Sequence, residues 1–181
     1  MNLLRQTPCS LGWISWVFDA AGLCWLTLTG TPEEGHRQAM ARFSDPVGSA
    51  DTRVPVAWEE ALLAAVERPA ERRPSIPVRA QGTAFQRAVW DALGTIPAGQ
   101  WRTYGDIALQ IGRPRAMRAV GSACGANPLP FLIPCHRVVA SGGRWGGFGL
   151  GLEVKEVLLF REGMIPRASG QINAHDRIPF L

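Results

Sequence analysis

The sequence predicts an α/β fold built as two small units, and three features point to it. Short aromatic, β-rich segments stand near the start, helical periodicity takes over after Thr83, and a proline- and arginine-rich stretch, 68–82, lies between them. At 181 residues, with 46% apolar side chains and seven tryptophans, the chain can bury a proper core. No apolar run approaches the roughly 20 residues that span a bilayer. No charged segment leads into an apolar run with a small-residue cleavage site, so a cytoplasmic protein is expected. Cys9, Cys24, Cys124 and Cys135 are scattered, which suits free thiols in a reduced compartment. Cys9 and Cys24 with His36 could be argued as part of a zinc site. Their spacing is loose and a fourth ligand is missing, so core or strand residues are expected and no metal.

Taken in order, residues 13–18 (WISWVF) and 23–28 (LCWLTL) read as two strands joined by a four-residue hairpin loop, Asp19–Gly22. Thr31 then caps a helix with Pro32 at its first position and Glu34 at its third, running to about Phe43. Residues 44–55 read as loop. Ala57–Glu67 is helical, with Trp58, Ala61, Leu62, Ala65 and Val66 on one face. Thr83 and Gln86 form a capping box for a helix carrying Phe85, Ala88, Val89, Ala92 and Leu93 and ending before Gly94. Thr103 caps a short helix from Tyr104 to about Ile111, and Pro114 opens another, Arg115 to about Ala126. The pair, joined through Gly112, makes a helix-turn-helix pattern. Leu152–Arg161 is the last helix, and residues 164–181 read as an irregular tail.

Charge is unevenly spread. Residues 1–82 carry eight Arg against nine Asp and Glu, whereas 83–181 carry ten Arg and one Lys against six acids. The basic part also holds the chemistry-bearing stretch, Asn127-Pro128-Leu129-Pro130-Phe131-Leu132-Ile133-Pro134-Cys135-His136. Prolines and an apolar run lead stiffly into a cysteine followed at once by a histidine. A thiolate is the reactive form of cysteine, and a neighbouring imidazole or cation is the usual means of raising its fraction. A buried structural cysteine beside a surface histidine is the competing reading. The second helix of the pair carries Ala116, Ala119, Gly121, Ala123 and Gly125, too little side chain to read base edges in a major groove. Such a surface fits either tight packing inside the protein or a close, sequence-indifferent approach to a minor groove.

Pro134-Cys135-His136-Arg137-Val138 resembles the active-site motif of the O6-alkylguanine-DNA alkyltransferases, also called methylated-DNA–protein-cysteine methyltransferases. The resemblance extends through Gly82–Gln86, Val89-Trp90, Ile96–Gly99, Thr103–Ala108, Arg118–Gly121, Asn127-Pro128, Lys155, Leu158-Leu159 and Glu162-Gly163. It covers about half the chain at high specificity and implies a ribonuclease-H-like α/β unit with linker over 1–82. Residues 83–181 would be a mostly helical, winged helix-turn-helix-like active domain.

The activity so implied is DNA repair by single-use, irreversible transfer of an alkyl group, chiefly methyl, from guanine O6 to Cys135. It needs no cofactor. The implied partner is double-stranded DNA containing O6-alkylguanine, approached from the minor groove by a monomer. Cys135, His136, Glu162, Asn127 and Tyr104 are the implied catalytic set. Glu162 orients His136, which takes the thiol proton through a water, while Tyr104 donates to guanine N3. Asn127 either joins this network or is only a turn residue before Pro128. Ala116, Met117, Arg118, Ala119 and Gly121 are implied to meet DNA, with Arg118 filling the space of the flipped nucleotide. Pro130, Val138, Phe148, Gly149, Leu150 and Lys155 are implied to form the pocket, Lys155 bracing its loop.

Two departures from the family stand out in the glycine-rich loop Arg144–Gly151. Phe148 occupies a position where relatives commonly carry tyrosine, and Leu150 one where they carry glycine. A leucine tolerates positive φ badly, so an extended backbone is expected there. If its side chain faces the pocket, methyl groups fit and benzyl groups clash. Two rival functions remain open at this level: a non-catalytic module that binds alkylated bases, and a cysteine hydrolase.

Overall fold

The aromatic stretches pair as a hairpin in the computed structural model, which describes residues 2–43, 48–49, 54–71 and 76–164. Strand β1 (Leu3–Cys9), β2 (Gly12–Asp19) and β3 (Gly22–Thr29) form an antiparallel sheet. The two-residue strand β4 (Gly48–Ser49) adds in parallel beside β1, giving the order β3-β2-β1-β4. The hairpin is tighter than expected. Asp19 pairs with Gly22, so only Ala20 and Ala21 form the loop, and Asp19 Oδ1 accepts from Ala21 N at 2.8 Å. Strand β1 was not expected, because Pro8 and the polar Arg5-Gln6-Thr7 break its apolar pattern. Among the described residues Pro8 falls beyond β4, where β1 has no second neighbour, the part of a sheet that tolerates a missing N–H.

One helix covers each face of this sheet. Helix α1 (Pro32–Arg42), capped by Thr31 through Glu34 N, lies against β2 and β3. It comes so close that a Cβ on Gly35 would stand 1.9 Å from Ser15 Oγ. Leu4, Val17, Cys24, Trp25 and Ala39 form the core on this side. Helix α2 (Val56–Glu67) takes the other face, with Trp58 edge-on to Phe18 at 6.0 Å. Glu59 there binds Arg5 at 2.7 Å and Thr7 Oγ1 at 2.9 Å. The proline-rich stretch is not wholly a connector. Val78 bridges Leu23 in parallel, with Leu23 N on Pro77 O at 2.8 Å and Arg79 N on Leu23 O at 2.7 Å. The remaining residues expected as loop or tail (44–47, 50–53, 72–75 and 165–181) lie outside the described residues.

Contacts separate the chain into two units, Met1–Gln81 and Gly82–Leu181. In the second, α3 (Ala84–Gly94) begins with the Thr83–Gln86 capping box, and Trp90 Nε1 donates to Ala123 O at 2.9 Å. Strand β5 (Arg102–Thr103) runs directly into α4 (Tyr104–Gln110), where Thr103 caps and Asp106 reciprocates. Helix α5 (Met117–Gly125) starts two residues later than expected. Ala116 N bonds to Arg113 O at 2.8 Å, so Pro114 and Arg115 belong to a turn before the helix, a favoured place for proline. Strand β6 (Val138–Val139) pairs in parallel with β5, and α6 (Leu152–Arg161) follows. Among the described residues no helix is long and apolar enough to cross a membrane.

Candidate active site

The stiffness of residues 127–134 has a specific geometry. Asn127 Oδ1 accepts from Leu129 N at 3.0 Å, which closes a side-chain turn and leaves the amide nitrogen of Asn127 aimed inward. That nitrogen donates to Ile133 O at 2.9 Å and to Cys135 Sγ at 3.1 Å. Phe131, 1% exposed, adopts φ 71°, a conformation that costs an L-residue about 1–3 kcal/mol and persists only where surroundings enforce it. Pro134 at φ −79°, ψ 62° is an inverse γ-turn, with Cys135 N on Ile133 O at 2.8 Å. The chain then closes one 3₁₀ turn, Cys135–Arg137.

That turn sends three side chains into buried positions. His136 Nε2 lies 2.9 Å from Glu162 Oε1, and Glu162 is the C-cap of α6. Arg137 reaches the same carboxylate, donating from Nε at 3.0 and 3.1 Å and from an Nη at 2.8 Å. Its other Nη donates to Ile96 O at 2.6 Å, and Gly99 N donates to Glu162 Oε2 at 3.2 Å. An ionised carboxylate only accepts, so Nε2 of His136 carries the hydrogen in this contact. Nδ1 is buried and has no hydrogen-bond partner among the described residues.

Charge follows from this packing. Burial pushes the Cys135 thiol up, against partial relief from the Asn127 bond and the charge of Lys155. Burial likewise holds His136 below the ordinary imidazole value, although Glu162 pulls it up. Burial would raise Glu162, but hydrogen bonds and charges from His136 and Arg137 outweigh it and hold the carboxyl below its usual range. Lys155 is lowered to about 8 by burial. Its ammonium donates to Val138 O at 2.6 Å and to Trp145 O.

Cys135 stands at a cleft of about 340 Å³ lined also by Tyr104, Gly121, Cys124, Gly125, Gly147, Phe148 and Gly149. Tyr104 donates from its hydroxyl to Gly147 O at 3.3 Å, and burial raises its phenol to about 12. Phe148 meets the His136 ring edge-on at 6.4 Å. Pro130, Val138, Leu150 and Lys155, expected to form the pocket, are not among its lining residues. Val138 is fully buried in β6, Pro130 is buried in the stiff loop, and Lys155 is committed to two carbonyls. Leu150 sits inside a turn closed by Gly151 N on Phe148 O at 3.1 Å, not in extended backbone. The positive φ of that turn falls on Gly151, at 96°. Met117, Arg118 and Ala119 project from the exposed side of α5, with Ala116 half-buried at its N-cap.

Sequence reasoning gave Arg137 and Cys124 no role of their own, and named Gly125 only among the small residues of its helix and Gly147 only within the glycine-rich loop. Arg137 had a signal: an arginine amid an apolar run is rarely buried unless paired. Gly121, Cys124 and Gly125 also share a helix face by their i, i+3, i+4 spacing. Burial, and then the nearby Cys135, raise Cys124 to about 12. Among the described residues no group of three His, Cys, Asp or Glu side chains is gathered as a metal site would need.

The described residues form a two-unit α/β protein that presents a buried thiol, Cys135, at a cleft, followed in the chain by a histidine clamped by a carboxylate. Residues 84–164 match the family model of the 6-O-methylguanine DNA methyltransferase DNA-binding domain. A methylated-DNA–protein-cysteine methyltransferase of Methanosarcina acetivorans is 52% identical over 83 residues, 46% of this chain and 53% of that protein. The crystal structure of the Mycobacterium tuberculosis O6-methylguanine methyltransferase aligns at TM-score 0.74 and 32% identity. It covers 90% of this chain and 93% of that one. The Mycobacterium tuberculosis protein in complex with DNA aligns at TM-score 0.73 and 29% identity, covering 88% and 92%. The chain belongs to the O6-methylguanine-DNA methyltransferase family. Its matches span about half the length of the curated relatives.

Proposed function

We propose that this protein repairs O6-alkylguanine in DNA by transferring the alkyl group, chiefly methyl, to Cys135, once per molecule. The observation that carries the reading is the Cys135 thiol, held by Asn127 at the cleft and followed directly in the chain by His136, whose buried Nδ1 has no hydrogen-bond partner among the described residues. Cys135 is a neutral thiol at rest, because burial raises it. Its proton passes through a water to Nδ1 of His136 as the sulfur attacks the alkyl carbon. The C–O6 bond breaks as the C–S bond forms, and the electron pair returns to guanine. Tyr104, kept protonated, donates to the ring as that charge develops. Water does not cleave the resulting thioether at a useful rate, so transfer is final.

The base reaches the cleft by leaving the duplex, and Arg118 on the exposed side of α5 fills the gap. The small residues of α5 favour a minor-groove approach by a monomer. The second unit reads as a winged helix-turn-helix, with α4 and α5 as the helix pair, and the first as a ribonuclease-H-like α/β unit. Four free cysteines fit a reduced, cytoplasmic setting.

Intact mass spectrometry after incubation with duplex DNA carrying O6-methylguanine tests this. One methyl per protein, mapped to Cys135, is the expected result. DNA bound without any mass change would make it an alkylated-base-binding module, and multiple turnover would make it a hydrolase.

A further inference from the structure

His136 and Arg137 are consecutive, both are buried, and both bind the one carboxylate of Glu162. A buried His–carboxylate pair left to itself tends to collect a proton on the imidazole, because the negative charge favours the cation. A protonated His136 could not accept one from Cys135. Two of the five N–H donors of Arg137 converge on Glu162, the Nε one shared between both carboxylate oxygens, and a third fixes the guanidinium to Ile96 O. The guanidinium therefore balances the carboxylate's charge and leaves the imidazole only a hydrogen-bond acceptor to lean on.

We propose that Arg137 is a positioning residue that neutralises Glu162, so that the carboxylate orients His136 without protonating it and Nδ1 stays free as a base. The proposal rests on the reading that Cys135 is the alkyl acceptor. The other groups facing His136 do not substitute for Arg137. Lys155, from α6, adds positive charge but spends its ammonium on the carbonyls of Val138 and Trp145. Cys135, from the same turn, is a neutral thiol at rest, and Phe148 offers only a ring edge. Burial does most to lower the proton affinity of His136, Glu162 raises it, and Arg137 adds a further lowering.

The test reads His136 directly by imidazole ¹⁵N NMR across pH, with the exposed His36 as reference. In the wild-type protein His136 should be neutral at about pH 7, with its hydrogen on Nε2, and titrate below the ordinary 6.5. Arg137→Gln should move that titration up by about one to three pH units. Methyl transfer by this variant should then fall at about pH 7 and recover near pH 9, whereas Arg137→Lys should keep the wild-type titration. A protonated His136 in the wild type at neutral pH overturns the proposal, as does an Arg137→Gln variant slowed equally at every pH with its titration unmoved. If Arg137→Gln does not fold, the wild-type spectrum and Arg137→Lys still decide: a His136 titration moved upward in Arg137→Lys overturns the idea. Failure of the wild type to accept any methyl would sink the functional reading alone, since the NMR titrations need no transfer.

Discussion

Asn127 shows how much one side chain can hold. Its amide makes three hydrogen bonds that close the loop, fix Ile133 and touch the thiol. In Asn127→Ala the buried N–H of Leu129 loses its acceptor, at a cost of about 1–3 kcal/mol. The same change removes the hydrogen bond that lowers the Cys135 thiol. We therefore expect Cys135 to be alkylated by iodoacetamide only at higher pH than in the wild type. An unchanged pH profile would show that the Asn127–sulfur contact carries no weight. Acid should destabilise the second unit through two residues in turn. His136 is held below 6.5, so as pH falls through that value the unfolded chain gains a proton that the native one refuses. Glu162 is held below 4.5, so its contribution is present above that value and lost as pH falls through its depressed native one. Urea midpoints should thus decline from about pH 6.5 downward, and His136→Gln should remove the earlier part of the decline.

Elements are set as much by their neighbours as by their own propensities, and α1 makes the point. Alanine stabilises a helix interior by about 1 kcal/mol over glycine, so Gly35→Ala should help α1 in isolation. Against the sheet it meets Ser15 Oγ at 1.9 Å and Ser15 Cβ at 2.7 Å. Overpacking of a tight core typically costs about 1–3 kcal/mol, so the clash should win and the urea midpoint fall. Ser15→Ala should not rescue it, because the Cβ clash remains. In the glycine-rich loop, Leu150 lies outside the residues lining the cleft, so Leu150→Gly should leave the ratio of methyl to benzyl transfer unchanged. A ratio relaxed toward benzyl would place the leucine side chain at the substrate.

On the scale of the whole molecule, positive charge and chemistry lie in the same half. The ten arginines and one lysine of residues 83–181 include Arg118, exposed on α5. Contact with a polyanion through such groups releases counterions, so DNA affinity should fall by about 0.9 log unit per log unit of salt for each phosphate neutralised. A flat salt response would remove charge from the account. Arg118→Ala should weaken repair in duplex DNA far more than transfer from the free alkylated base, because only the duplex leaves a gap to fill. Equal losses on both substrates would assign Arg118 to the fold instead.

The sequence by itself determined what is written in short-range code. The capping residues Thr31, Thr83 and Thr103 start their helices where the spacing places them. The stretch through Cys135 and His136 is also local, because three prolines restrict the chain whatever surrounds it. Tertiary structure decided whatever depends on partners distant in sequence. Strand β1 exists because β2 pairs with it, despite Pro8. Glu162 meets His136 and Arg137 across more than twenty residues, and no local pattern shows that both share one carboxylate. Lys155 turns to two carbonyls and Leu150 leaves the cleft for the same reason. A side chain's direction is settled by the packing around it and by the hydrogen bonds it must satisfy once water is gone.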